Sequence, residues 1–319
     1  MRILVTGGAG FIGSHLVRTL LGADGPTDLT GVTVLDALTY AGDRANLATV
    51  AHDPRLTFVH GDIRDAATVD RLLPGHHAVL HLAAETHVDR SIAGGTDFVS
   101  TNVLGTHTLL EAAVRHGTGT FVHVSTDEVY GSIPHGSASE TAPLDPSSPY
   151  SASKAGSDLL ALAHHRTHGL DVRVTRCSNN YGTHQHPEKV VPRFTTLLLS
   201  GGRVPLYGDG RNSRDWLHVE DHCRALLLVL RRGRPGETYN IGGGTELTNT
   251  ELTARILAEC DAGWDRVDHV SDRKGHDLRY SVDTTKAATE LGYRPHHAFD
   301  EGLAATVAWY RARHRREDG

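Results

Sequence analysis

The chain has 319 residues, 39% of them hydrophobic and 22% charged, with a formal net charge of −6. That is material for one large α/β domain or two smaller ones, and its acidic balance gives no general pull toward nucleic acid or anionic membrane. Cys177, Cys223 and Cys260 are widely spaced and form no CxxC pair, so neither a disulfide framework nor a zinc knuckle is indicated.

Met1 leads directly into the apolar run "RILVT" (2–6), with no signal peptide ahead of it. No stretch is long and apolar enough to span a bilayer, so the chain reads as cytoplasmic. Further apolar runs follow at 32–36, 56–60, 78–83 and 120–125, with helical patterns near 12–21, 65–73 and 98–116. Short unbroken strands between helices predict a parallel sheet covered on both faces. The fold class is therefore α/β, a doubly wound Rossmann-type sheet. A helix over 149–168 and a sixth strand over 170–176 extend it, while Gly22 to Gly31 reads as a polar surface connection. Beyond 177 the segments shorten and grow richer in Gly, Pro and charge. Residues 1–177 read as the dinucleotide-binding domain. Residues 178–319 read mainly as a smaller substrate-binding lobe, with some segments returning to the first domain. The last helix, about 300–315, ends in "RARHRRED", a solvated terminus favoured by the helix dipole.

Three patterns carry chemistry. The first is "VTGGAGFIGSHL" (5–16), in which Gly7, Gly8, Gly10 and Gly13 follow a strand and open a helix. Such glycines permit a tight turn and close approach to a pyrophosphate at a helix N-terminus. Asp36 ends the second strand, where a carboxylate accepts from ribose hydroxyls and repels a 2′-phosphate; NAD is the expected cofactor. The second is "PYSASKAGSD" (149–158), which puts Tyr150 and Lys154 on one helix face. A cation beside a phenol lowers its pKa, so Tyr150 is the expected base for a substrate hydroxyl. The third is "FVHVSTDEVYG" (121–131), where a buried strand runs into Thr126, Asp127 and Glu128. From the residues alone this pair is as well an Asx-type turn with a surface Glu as an acid and a base.

Taken together, these motifs resemble the extended short-chain dehydrogenase/reductase family, and within it the dTDP-glucose 4,6-dehydratases. The resemblance runs from Arg2 to about Asp283 and is carried by "TGGAGFIGS", "LAAETHVDRSI", "STDEVYG", "YSASKAGSD", "CSNNYG", "PEKVVPRF", "YGDGRNSRDWLHVEDH" and "RKGHDLRYSVD". "STDEVYG" is the specific element, because related sugar-nucleotide epimerases usually lack the Asp-Glu pair.

The resemblance implies an intramolecular redox dehydration. Tyr150, aided by Lys154, takes the proton of the sugar 4-hydroxyl as hydride leaves carbon 4 for NAD. Glu128 then removes the carbon 5 proton while protonated Asp127 donates to the departing 6-hydroxyl. Hydride finally returns to carbon 6, and Thr126 bonds near the 4-oxygen. It further implies cofactor contacts from Gly7, Gly10, Phe11, Ile12 and Gly13 in the loop, and from Asp36, Leu38 and Thr39 after the second strand. Asp62, Ile63, Ala83, Ala84, Thr101 and Asn180 would join them, with Tyr150 and Lys154. Substrate contacts would come from Thr86, Thr126, Asn179, Lys189, Arg214, Asn249, Arg273 and His276, the two arginines facing the diphosphate. A homodimer through the helices near 98–116 and 149–168 is also implied. The chain departs from the family pattern at Ala37, Thr183 and Lys274, all in binding loops.

Other readings remain beside this one. A nucleotide-sugar 4-epimerase would use the same glycines, Tyr150 and Lys154, and a silent NAD-binding sensor only the glycines; the Asp-Glu pair and the intact Tyr/Lys pair weigh against them. His164 and His168 have i, i+4 spacing suited to a metal. Without an HExxH or an acidic third ligand they read as solvent-facing, and no metal is expected.

Overall fold

The computed structural model of the chain describes residues 1–317. The six predicted strands form β1 (Arg2–Thr6), β2 (Gly31–Asp36), β3 (Leu56–His60), β4 (Ala78–His81), β5 (Thr120–Thr126) and β6 (Asp171–Cys177). Between and after them run α1 (Phe11–Leu21), α2 (Ala66–Leu72), α3 (Val88–Ala93), α4 (Thr96–Phe98), α5 (Thr106–Arg115) and α6 (Pro149–His168). The C-terminal part adds β7 (Asn179–Tyr181), β8 (Val204–Tyr207), β9 (Ser213–His218), β10 (Thr238–Ile241), β11 (Glu246–Thr248) and β12 (Val267–Val270). Its helices are α7 (Val190–Leu199), α8 (Val219–Arg232), α9 (Asn249–Glu259) and α10 (Phe299–Glu317). The expected basic terminus reaches Asp318, which lies outside the described residues.

The large sheet has the order β10-β6-β5-β4-β1-β2-β3, parallel throughout. Successive side chains of a strand point to opposite faces. Along β1, Ile3 and Val5 join one apolar cluster with Leu16, Leu20 and Val34. Leu4 joins the other with Leu35, Leu109 and Phe121. Each fully buried aliphatic side chain contributes ~1.5–3 kcal/mol over exposure, so both helix layers are held firmly. The order of the strands reverses between β1 and β4, the switch point where doubly wound sheets open a crevice at the carboxyl ends of their strands. The Rossmann-type expectation is borne out.

The seventh strand, β10, was not expected. It pairs with β6 from Thr238↔Val174 to Ile241↔Cys177, and α8 packs with it against the first sheet through Cys223, Leu226 and Val229. A second lobe remains, built on β11-β9-β7, β12-β8, α7, α9 and α10 around Tyr181, Trp216, Leu252 and Phe299. The connection from Gly22 to Gly31 is largely exposed but anchored by buried Pro26 and Leu29.

The helix expected over 98–116 is interrupted. Residues Val99–Gly105 form a π segment between α4 and α5. Widened turns of this kind occur mostly at functional sites. Here the segment carries Thr101 and buried Asn102, whose side chain accepts from the Glu85 N–H and donates to the Glu85 carbonyl and Ser153.

Candidate active site

The crevice is a cavity of about 500 Å³. Its floor is the glycine loop. Gly7 has φ +69°, and a Cβ there would lie 2.7 Å from the Ala83 nitrogen. A Cβ on Gly13 would meet the Gly7 carbonyl at 2.1 Å, so α1 can approach β1 only without a side chain there. Asp36 holds the loop from the next strand. Its two oxygens accept from the Ala9 and Leu38 N–H groups, each at 2.8 Å. A carboxylate has about four acceptor sites, so capacity remains toward the cavity that Asp36 lines. Gly7, Gly10, Phe11, Ile12, Gly13, Thr39, Asp62, Ile63, Ala83, Ala84, Thr101, Tyr150, Lys154 and Asn180 also line it. Leu38 does not; held at φ 49° beside Asp36, it serves the loop's shape.

Strand β5 delivers the acidic pair. Thr126 caps a short 3₁₀ turn over Asp127–Tyr130, its hydroxyl accepting from the Glu128 N–H at 3.3 Å and donating to Asp127 Oδ1 at 3.3 Å. The turn ends at Gly131 in left-handed backbone, φ 68°. Asp127 is 3% exposed, and its Oδ2 has no hydrogen-bond partner. Burial, then the neighbouring Glu128 and Asp215 carboxylates, push the Asp127 carboxyl well above the usual range. Burial also raises Glu128, but Arg214, Lys189 and Arg273 oppose the rise. The two carboxyls are thus made different: the upward push is stronger on Asp127 than on Glu128.

Helix α6 begins with a capping box between Ser148 and Ser151 and with Pro149 in its first turn. That fixed start buries Tyr150 and Lys154 on one face. Lys154 Nζ donates to the Val124 carbonyl at 2.7 Å, tying the helix to β5. The expected lowering of the phenol is not found here. Burial, followed by Glu128, pushes Tyr150 well above its ordinary value, with its hydrogen bond to Thr126 opposing. Burial likewise lowers Lys154.

A second cavity, about 190 Å³, opens from the first. Arg214, Asn249, Arg273 and His276 line it, and Glu128, Asn179, Glu188 and Lys189 line both. Thr86 and Thr126 line the first. Lys189 Nζ donates to the Thr86 carbonyl at 2.8 Å. Buried Arg214 donates to the Ser213 and Asp277 carbonyls and lies 4.2 Å over the Tyr280 ring. Arg273 reaches across the crevice to Asp89, at 2.6 and 3.1 Å. His276 pairs with Asp272 at 2.7 Å. Ala37 lines the first cavity, while the Thr183 carbonyl pairs with His15 Nε2 at 3.0 Å. Sequence reasoning missed Asp89, Glu188, Tyr207, Trp216 and Tyr280 as cavity walls. All five lie within the motifs that carry the resemblance, which is the signal that could have singled them out.

The reading of His164 as solvent-facing is corrected. His164 is buried, and its Nε2 lies 3.3 Å from Glu111 on α5. The acidic neighbour absent from its own helix is supplied by the next one.

A family model described as GDP-mannose 4,6 dehydratase matches residues 4–306. The chain belongs to this family. Within it, a dTDP-glucose 4,6-dehydratase of Streptomyces antibioticus is 64% identical, covering 98% of this chain and 92% of its own length. The solved structure of DesIV, dTDP-glucose 4,6-dehydratase from Streptomyces venezuelae, is 63% identical with a TM-score of 0.98, covering 99% of this chain and 98% of its own. A UDP-glucose 4-epimerase from Thermotoga maritima is 34% identical with a TM-score of 0.90, covering 98% and 99%. The resemblance drawn from the motifs is borne out. Overall shape is shared with epimerases as well, so the reaction is decided by the side chains in the crevice. Among the described residues, no helix is long and apolar enough to cross a membrane.

Proposed function

We propose that this chain is a dTDP-glucose 4,6-dehydratase, converting dTDP-glucose to dTDP-4-keto-6-deoxyglucose with loss of water. The observation that carries this reading is the unequal Asp127–Glu128 pair beside Tyr150, at the junction of the two cavities. An epimerase has no water to remove and no use for the pair. The high identity of the dehydratases to this chain supports the same choice.

NAD fits the larger cavity: the loop leaves no space for a Cβ at Gly7 or Gly13, and Asp36 offers a carboxylate that a 2′-phosphate would meet as a like charge. When bound, NAD supplies a hydride acceptor for the first step and the matching donor for the last. The chain's own residues do the rest. Tyr150 receives the 4-hydroxyl proton. Tyr150 takes this proton as the phenolate: burial disfavours that form, and the positive charges of Lys154 and of oxidised nicotinamide, once bound, would favour it. Thr126 orients the 4-oxygen. The 4-ketone acidifies carbon 5, Glu128 takes its proton, and Asp127 gives its own to the 6-hydroxyl, which leaves as water. The cations around Glu128 oppose the rise that burial imposes and so favour the ionised form that a base needs.

Residues 178–319 act mainly as the substrate lobe, with Arg214 and Arg273 facing the diphosphate and Asn249 and His276 completing the smaller cavity. The protein works in the cytoplasm, and its product enters deoxysugar biosynthesis. It assembles as a homodimer through the Val99–Arg115 and α6 helices, where Val99, Leu104 and Leu159 are each more than half exposed; a single-subunit mass in sedimentation would remove that part of the reading.

The test is isotopic. Deuterium on carbon 4 of dTDP-glucose is expected on carbon 6 of a 4-keto product. Deuterium kept on carbon 4 of an epimerised sugar would make this an epimerase. Parallel incubations with UDP-glucose and GDP-mannose are expected to give no 4-keto product; turnover of either in place of dTDP-glucose would reassign the nucleotide.

A further inference from the structure

Away from the crevice, α5 and α6 bring together His107, Glu111 and His164, each offering a ligand atom, all within 4.8 Å of one another. His107 and Glu111 are one turn apart on α5, the spacing that puts two side chains on one helix face. His164 comes from the C-terminal half of α6, ~21 Å along the helix from Tyr150 at ~1.5 Å per residue.

The hydrogen bonds of this cluster are incomplete in an informative way. His164 Nδ1 lies 2.9 Å from the Leu160 carbonyl. A carbonyl only accepts, so Nδ1 carries the proton and the Nε2 of the neutral ring carries a lone pair. That lone pair faces Glu111 Oε1 at 3.3 Å, another acceptor. On the other side, His107 Nδ1 is buried with no hydrogen-bond partner among the described residues. A second proton on His164 would satisfy the contact to Glu111 and leave His107 as it is. A cation among the three would satisfy all of them.

We propose that His107, Glu111 and His164 form a transition-metal site of zinc type that clasps α5 to α6. Two imidazoles and one carboxylate are a ligand set that suits zinc. Zinc bonds of ~2.0–2.1 Å in a tetrahedron need donors ~3.4 Å apart. Glu111 and His107, partly exposed in the single chain and on the helices proposed above to form the dimer, can close on buried His164 by small side-chain rotations. His168 lies one turn further on α6, its ring 5.4 Å from that of His164, and stands near the remaining position. Arg115 approaches Glu111 Oε2 at 3.7 Å, but it also pairs with Asp70 at 3.1 Å, so Glu111 can turn to the metal without stranding that guanidinium. The other His–Glu–His group, His218, Glu220 and His297, differs. There His297 already meets Glu220 and Asp221, each at 3.2 Å, and stacks on His218.

The full-length protein should be dialysed against zinc, then against metal-free buffer, and its retained zinc counted. With 23 histidines the chain will take up loosely held metal, so the comparison between variants is the readout. Parent protein is expected to retain one equivalent more than His107→Gln or Glu111→Gln. Its cobalt-loaded form should show tetrahedral visible absorption that both variants lose, and zinc should raise Tm by several degrees in the parent only. Both substitutions fall on partly exposed side chains outside the crevice, and dehydratase activity is the check that they fold. Equal retention by parent and folded variants, or no retained zinc in the parent, would overturn the site.

Discussion

A double variant, Asp127→Asn with Glu128→Gln, is expected to reduce its cofactor and then stall. Tyr150 and Lys154 remain, so adding dTDP-glucose should still raise the absorbance of reduced nicotinamide. Water loss should nearly stop. One general acid or base is typically worth ~10²–10⁴ in rate, and removing both should cost at least the upper end of that range. The single variants should separate by pH. In the parent, dehydration falls at the acid side as Glu128 gains a proton, at a pH above that of an ordinary glutamate because burial raises it. It falls at the alkaline side as Asp127 loses its proton, far above the ordinary aspartate range. Asp127→Asn should remove the alkaline limb that Asp127 sets. Stopped-flow absorbance with product analysis reads all of this, and full dehydration by the double variant would move the acid–base work to other residues.

Tyr150→Phe should act one step earlier. No group then receives the 4-hydroxyl proton, and the first oxidation should slow by ~10²–10⁴. Binding of dTDP-glucose should change far less, because the residues proposed to hold the diphosphate, Arg214 and Arg273, line the smaller cavity and are left alone by the substitution. The two variants therefore give opposite absorbance signatures: the Asp127/Glu128 pair accumulates reduced nicotinamide, Tyr150→Phe does not. Normal turnover by Tyr150→Phe would make the residue structural only.

What could be read in advance follows from how local each signal is. Strands β1, β2, β4 and β5 are buried on both faces, so they appear as apolar runs, while β3, at the sheet edge and only partly buried, still shows Leu56, Phe58 and Val59. "TYNI" at β10 is four residues long with polar Thr238 and Asn240, and its place beside β6 depends on a partner more than sixty residues earlier. The π segment keeps nearly the helical period, so the pattern over 98–116 looks continuous while the backbone bonding changes. Tyr150 with Lys154, and Thr126 with Asp127 and Glu128, are adjacent in the chain and were legible together. Asp89 and Arg273 meet only because the lobes fold over each other. His164 was misread because its partners stand on another helix. The upward push on Tyr150 was not legible, since it comes from how deeply α6 sinks into the crevice.

The late return of β10 and α8 to the first sheet bears on how the chain is made. Until Ile241 has been synthesised, the β6 edge has no neighbour to pair with, and the sheet face that α8 covers stays open to solvent. Such edges and apolar faces invite pairing with other chains. A fragment cut after Cys177 keeps every glycine of the dinucleotide loop, yet it emerges with that edge bare, and it is expected to aggregate, as light scattering would show, rather than to bind cofactor as a miniature protein.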